Sequence, residues 1–354
     1  MYGLSDSARR ILNDERRTLE RDAWFSRLQN LFDGKRDPYL DQHIMTLMGR
    51  VGRAEDPWIA YKNPEAWVIQ CLENLAEQIE RTPEERRFAP ACIEYPIYMV
   101  HFIDKILGAH VFYQDDQWNA QYLKTEIGSL EAPDLEKDET WALARRATLA
   151  FLEQEVALPL FGLPTLSSAL NILVNLYGGE ALATMLAEPE EAEHDLAVID
   201  GVIRDTHKWY LKTLPQRQLQ PVISWCRTQP PGYGQLCGCT TQLVSGPMYR
   251  RMVAPLDDAL LGLYPNGGMI HLCGSHTQHI ETMRSMKNLK AIQLNDRAAH
   301  DLQEYFTGLR DDQLIYLNPC EGMTQERGIE ITGGKRLVIC DAVDAPDKPG
   351  LLET

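Results

Sequence analysis

The feature that most constrains this chain is an alternation of short apolar runs with stretches of helical periodicity. The runs are FAPACIE (88–94), HVFYQ (110–114), LPLFGLP (158–164), QPVISW (220–225), GMIHLCG (268–274), AIQLND (291–296), LIYLNP (314–319) and RLVIC (336–340). Between them, Trp141, Ala144, Thr148, Phe151 and Leu152 recur at helical spacing, as do Leu196, Ile199, Val202, Ile203 and Tyr210 downstream of Pro189. Strands that alternate with helices predict a parallel sheet, and eight of them predict a closed (β/α)8 TIM barrel. No glycine fingerprint for a dinucleotide follows any of these runs, which argues against an open nucleotide-binding sheet. Residues 1–86 read as an N-terminal helical extension, with a helix over 5–33 and a second opened by Pro64. Residues 87–345 read as the barrel, and 346–354 as a C-terminal tail.

Composition narrows the partners. With 35 basic and 51 acidic residues, the net charge of -16 repels phosphate backbones and anionic lipid, so neither nucleic acid nor a membrane surface is expected. The opening MYGLSDSARRILNDERRTLER has no apolar segment of the secretory kind, and a cytoplasmic location follows as the expectation. Val156 to Gly179 carries no charge, but Pro159 and Pro164 interrupt it and Thr165, Ser167, Ser168, Asn171 and Asn175 are polar. It reads as a buried strand and helix rather than a membrane span. The 8 cysteines, in a chain of this size and expected compartment, point to reduced, catalytic or metal-binding thiols rather than a disulfide framework.

In a barrel of this kind the active site lies at the C-terminal ends of the strands, and the unusual residues collect there. Cys92 and Glu94 close the first run, and Tyr113, Asp115 and Asp116 follow the second. Cys226 ends the fourth, ahead of a loop with Cys237 and Cys239. His271 and Cys273 end the fifth, Asn295 and Asp296 the sixth, Asn318 and Cys320 the seventh, and Cys340 with Asp341 the eighth. Residues i and i+2 of a strand share a face, so His271 and Cys273 can both point into the mouth, and thiolates with a neutral imidazole are what zinc selects. Alternatively, His271 caps a strand end and Cys273 only packs. For the third ligand Cys340 is the first choice, with Cys239 and Cys320 as competitors. His276 and His279, one helical turn apart, read either as substrate-facing or proton-transfer groups beside the site or as a solvated helix face.

The stretch MIHLCGSHTQHIETMRSMKNLKAIQLND resembles the corresponding segment of the uroporphyrinogen decarboxylase superfamily, in particular its zinc-dependent corrinoid and coenzyme M methyltransferases. Residues 167–196, 239–260 and 314–323 agree with it, and the likeness spans roughly 88–341. It implies a barrel with a C-terminal mouth and metal ligands at His271, Cys273 and a distant cysteine near the last strand, Cys340. It also implies a possible corrinoid carried by a partner protein, and a homodimer. The interval from Cys273 to Cys340 is shorter than usual for that branch, and the arginine-rich N-terminal signature of the decarboxylases is absent.

These readings converge on a zinc-dependent methyltransferase that moves a methyl group between a corrinoid and a small-molecule substrate or thiol. Glu94, Asp115 and Asp296 are the candidate acid–base groups, and Tyr113, His276 and Asn318 the candidate substrate contacts. Two other classes remain: a metal-free decarboxylase-like lyase, which needs arginines at the mouth, and a non-catalytic tetrapyrrole or corrinoid binder.

Overall fold

Parallel pairing dominates the sheet structure. A computed structural model describes residues 3–35, 47–52, 56, 58–82, 90–164, 167–221 and 227–340. Its strands are β1 (Leu47–Met48), β2 (Ala91–Glu94), β3 (His110–Gln114), β4 (Gln117–Gln121), β5 (Leu160–Gly162), β6 (Leu219–Gln220), β7 (Gly234–Cys237), β8 (Gly268–Leu272), β9 (Leu289–Leu294), β10 (Leu314–Leu317) and β11 (Leu337–Ile339). They form a four-stranded sheet in the order β1-β2-β5-β6 and a five-stranded sheet in the order β11-β10-β9-β8-β7, every pairing in both being parallel. Helices follow most strands, so the protein is mixed α/β with helices across the parallel sheets.

Alternation along the strands produces two apolar clusters. Ile93, Phe161, Leu236, Ile270, Ile292, Ile315 and Ile339 face the helices. Their neighbours Cys92, Leu160, Met269, Ala291, Leu314, Tyr316 and Val338 meet in an inner cluster drawn from both sheets. Trp24, Phe25 and Leu28 of the helix Glu15–Phe32 complete that inner cluster. The same helix is fastened by buried Arg21, which donates to the carbonyls of Ala157 (2.7 Å) and Leu158 (2.8 Å) just before β5. The helix therefore seals the inner cluster at the N-terminal ends of the strands, and the opposite ends carry the polar residues.

Three features depart from the sequence-based expectation. The run 110–114 is one arm of an antiparallel hairpin with β4, outside both parallel sheets. Asp115 and Asp116 make its turn with φ of 53° and 58°, the left-handed pair of a type I′ two-residue hairpin. Strands β1 and β7 arise where a helical extension and a long loop were expected. β1 pairs with β2, and the helix Pro64–Arg81 packs on both. Finally, Cys92 and Cys340 lie within the inner apolar cluster, Cys92 with its thiol 2.9 Å from the Met48 sulfur. Of the expected strand 220–225 only Gln220 and Pro221 are described. Residues 222–225, Cys226, Asp341 and the tail 346–354 lie outside the described residues.

Helix starts follow the chain's polar punctuation. Asn63 accepts from the Ala66 amide ahead of Pro64, Asp138 caps Glu139–Glu153 through the Trp141 amide, and Ser168 caps Ala169–Tyr177. No single helix among the described residues is long and apolar enough to cross a membrane. Ala169–Tyr177 and Gly179–Ala187 reach that length only together, and they are bent by 111°.

A thiol and imidazole cluster at the strand ends

Register brings the sulfurs together. Cys237 pairs directly with His271 across β7 and β8, and His271 with Gln293 across β8 and β9. One step further toward the C-terminal ends come Cys239 and Cys273. The Sγ atoms of Cys237 and Cys239 are 3.4 Å apart, and the ligand atoms of Cys237, Cys239 and His271 all lie within 4.8 Å of one another. Cys273 Sγ sits 3.1 Å from His271 Nε2 and is hydrogen-bonded to the Cys239 thiol. This group could hold a metal ion: soft sulfur and a neutral imidazole, drawn from neighbouring strand ends, are the donor set of a thiophilic cation.

Each donor has a support. His271 Nδ1 is bound by the Gln293 side-chain oxygen, which makes Nδ1 the protonated nitrogen and turns the bare Nε2 toward the sulfurs. The Asn171 amide donates to Cys237 Sγ at 3.6 Å, while its oxygen accepts from the Thr240 amide at 3.0 Å. The Asn295 amide lies 3.9 Å from Cys273 Sγ, and Asn318 donates to the Asn295 oxygen. Gly238, between the two cysteines of the Cys-Gly-Cys turn, has no room for a side chain, because a Cβ there would stand 2.9 Å from Ile270 Cγ2.

The charges divide unevenly. Hydrogen bonding with the Cys239 thiol draws both Cys237 and Cys273 below the usual thiol range against the opposing effect of burial. Cys239, which lies between them, is pushed up by the same contacts.

The other residues singled out from the sequence are dispersed. Cys340 lies buried in the inner cluster, and Cys320 is near the His300 ring (3.7 Å), where burial and Asp296 push its thiol up. Asp296, at φ 47°, begins the helical turn Arg297–His300 and accepts from Asn295 at 2.8 Å. Glu94 ends β2 near Arg50. Asp115 occupies the exposed hairpin turn, and Tyr113 joins Trp58, Tyr61, Tyr98 and Trp118 in an aromatic cluster, its ring 5.4 Å from those of both tryptophans. His276 and His279 are fully buried and do not form a solvated helix face. Asn171 and Gln293 were not singled out from the sequence. The polar Asn171 inside an otherwise apolar helix was the signal available for the first, and for Gln293 its position in an apolar strand run.

Fold and site together define a parallel α/β protein with a sulfur-rich metal-binding candidate at its strand ends. No family model matches the chain, and no curated protein matches it. Among solved structures it is similar to a methyltransferase from Methanosarcina mazei, with a TM-score of 0.58 at 10% identity over 89% of this chain and 91% of that one. The two share the fold.

Proposed function

We propose that the chain is a zinc-dependent methyltransferase of the uroporphyrinogen decarboxylase-like kind. It would be a (β/α)8 barrel whose mouth passes a methyl group between a corrinoid, on its own or on a partner protein, and a small-molecule thiol. The observation that carries this is the convergence of Cys237, Cys239 and His271, with Cys273 against two of them. The fold shared with a solved methyltransferase and the His271-x-Cys273-Gly274 stretch support it. Cys237, Cys239 and His271 would hold the metal. Cys273 would stand beside it as a fourth donor that can yield its place. This assignment sets Cys237 and Cys239 ahead of Cys340, which sits among apolar side chains.

A bound zinc would supply Lewis acidity that keeps an acceptor thiol deprotonated near neutral pH. The chain's own groups do the rest. Gln293 fixes the His271 tautomer, and Asn171 and Asn295 hold amide hydrogens toward Cys237 and Cys273, so the sulfurs need no reorganisation on loading. The acceptor sulfur takes the methyl group, and the electron pair of the broken bond stays with the donor.

Metal analysis of the purified protein tests the assignment. We expect about one zinc per chain, falling below about a tenth in Cys239→Ser or His271→Ala with folding intact. Methylcobalamin with a small thiol should then show zinc-dependent loss of the methyl-corrinoid absorbance. A folded, metal-free wild-type protein would instead favour a decarboxylase-like lyase or a corrinoid binder.

A further inference from the structure

The Cys237–Gly238–Cys239 turn is tied down by a group that the ligand assignment does not use. Thr241, two residues past Cys239 and itself buried, donates its hydroxyl hydrogen to the Gly238 carbonyl at 2.8 Å. That hydrogen is thereby committed, so the 2.9 Å contact between Thr241 Oγ1 and His276 Nδ1 has the imidazole as donor. The Thr241 carbonyl accepts from His279 Nε2 at 2.8 Å. Both histidine tautomers follow: Nδ1–H at His276 and Nε2–H at His279. The remaining nitrogens, His276 Nε2 and His279 Nδ1, are buried without a hydrogen-bond partner among the described residues. Two buried acceptors left bare are a cost of a kind that folded proteins keep rare, and here both rings spend their single N–H on one threonine.

The two histidines belong to the segment that follows Cys273, and Thr241 belongs to the segment that follows Cys239. Their contacts therefore join the two cysteine-bearing chain segments directly behind the sulfurs. Burial disfavours the charged form of both rings, pushing His276 down to about 3 and His279 in the same direction.

We infer that Thr241, His276 and His279 form a clamp that sets the Cys-Gly-Cys turn in ligand geometry before any metal arrives, making them positioning residues for the site. The inference rests on the metal reading above for its consequence, but its geometry does not depend on it. Thr241→Val keeps the shape and removes the hydroxyl, and Thr241→Ser restores the hydroxyl alone. Two readouts are taken on the full chain: zinc affinity by competition with a chromogenic chelator, and amide exchange of a peptide spanning 236–242 in metal-free protein. We expect Thr241→Val to weaken zinc binding by about 10–100-fold, the range typical of lost support behind ligands. It should also speed exchange in that peptide by more than in the neighbouring core strands, with Thr241→Ser close to wild type in both. Wild-type exchange and affinity in Thr241→Val overturn the clamp, as does weakening without faster exchange or a failure of serine to restore. Should wild type bind no zinc, the metal reading falls and exchange alone decides the clamp. Should Thr241→Val not fold, His279→Phe, which keeps the ring against Tyr249 at a 4.4 Å centroid distance, carries the same expectations and the same refutation.

Discussion

His207 shows what burial does to a single titratable side chain in this protein. It is completely buried, on the long helix Pro189–Thr213, with Nδ1 2.6 Å from the Tyr264 hydroxyl and Nε2 without a partner among the described residues, and burial pushes it from 6.5 down to about 3. Between those values the unfolded chain binds a proton that the folded chain refuses, so stability is full above pH 6.5 and declines as pH falls toward 3. His207→Gln cannot titrate. Melting midpoints of wild type and variant should run parallel above pH 6.5 and converge or cross below it, and parallel curves down to pH 4 would refute the assignment. At this same scale the closeness of His271 and Cys273 is readable from the sequence, because the two-residue period of a strand fixes it locally. Asn171 is not, since its amide reaches Cys237 across 66 positions of sequence. Nothing in a helix pattern says which tertiary neighbour a buried amide will meet.

Strands tell the same story at larger size. The apolar runs at 268–272, 289–294, 314–317 and 337–339 announce themselves because both faces are buried and each face takes branched or aromatic residues. Gly234–Cys237 does not, because Gly, Gln, Leu and Cys in a loop rich in proline and glycine carry little strand propensity. Yet that strand brings Cys237 level with His271, so the third donor became visible only through its register. The hairpin misled in the opposite direction: HVFYQ has strand propensity, but the Asp-Asp turn after it folds the chain back on itself rather than into a helix. The register of β7 against β8 depends on two glycines. A Cβ at Gly268 would lie 2.3 Å from the Gly234 carbonyl oxygen, backbone against backbone, where no side chain can yield. Gly268→Ala should cost about 1–3 kcal/mol and loosen the pairing that sets Cys237 beside His271. A lowered denaturation midpoint together with weaker zinc binding is the expected result, and an unchanged midpoint would argue against it.

At the level of the whole molecule, the helix Glu15–Phe32 ties the N-terminal region to the sheet interior. Trp24→Ala removes a ring from the inner cluster and should cost about 3–5 kcal/mol, with the loss appearing in chemical denaturation of the entire chain rather than of a detached N-terminal part. A first transition that leaves the remainder folded would show that the region before β2 is separable. The aromatic cluster on the hairpin has a use beyond packing. The indole rings of Trp58 and Trp118 meet edge to face at 5.9 Å, on chain segments far apart in sequence, and Tyr61, Tyr98 and Tyr113 crowd around them. Chromophores that close couple optically, so the part of the ultraviolet dichroism that Trp118→Phe removes is this pair's own, apart from that of Trp141 and Trp209 at 5.3 Å, and it reports whether the hairpin stays seated when a molecule arrives.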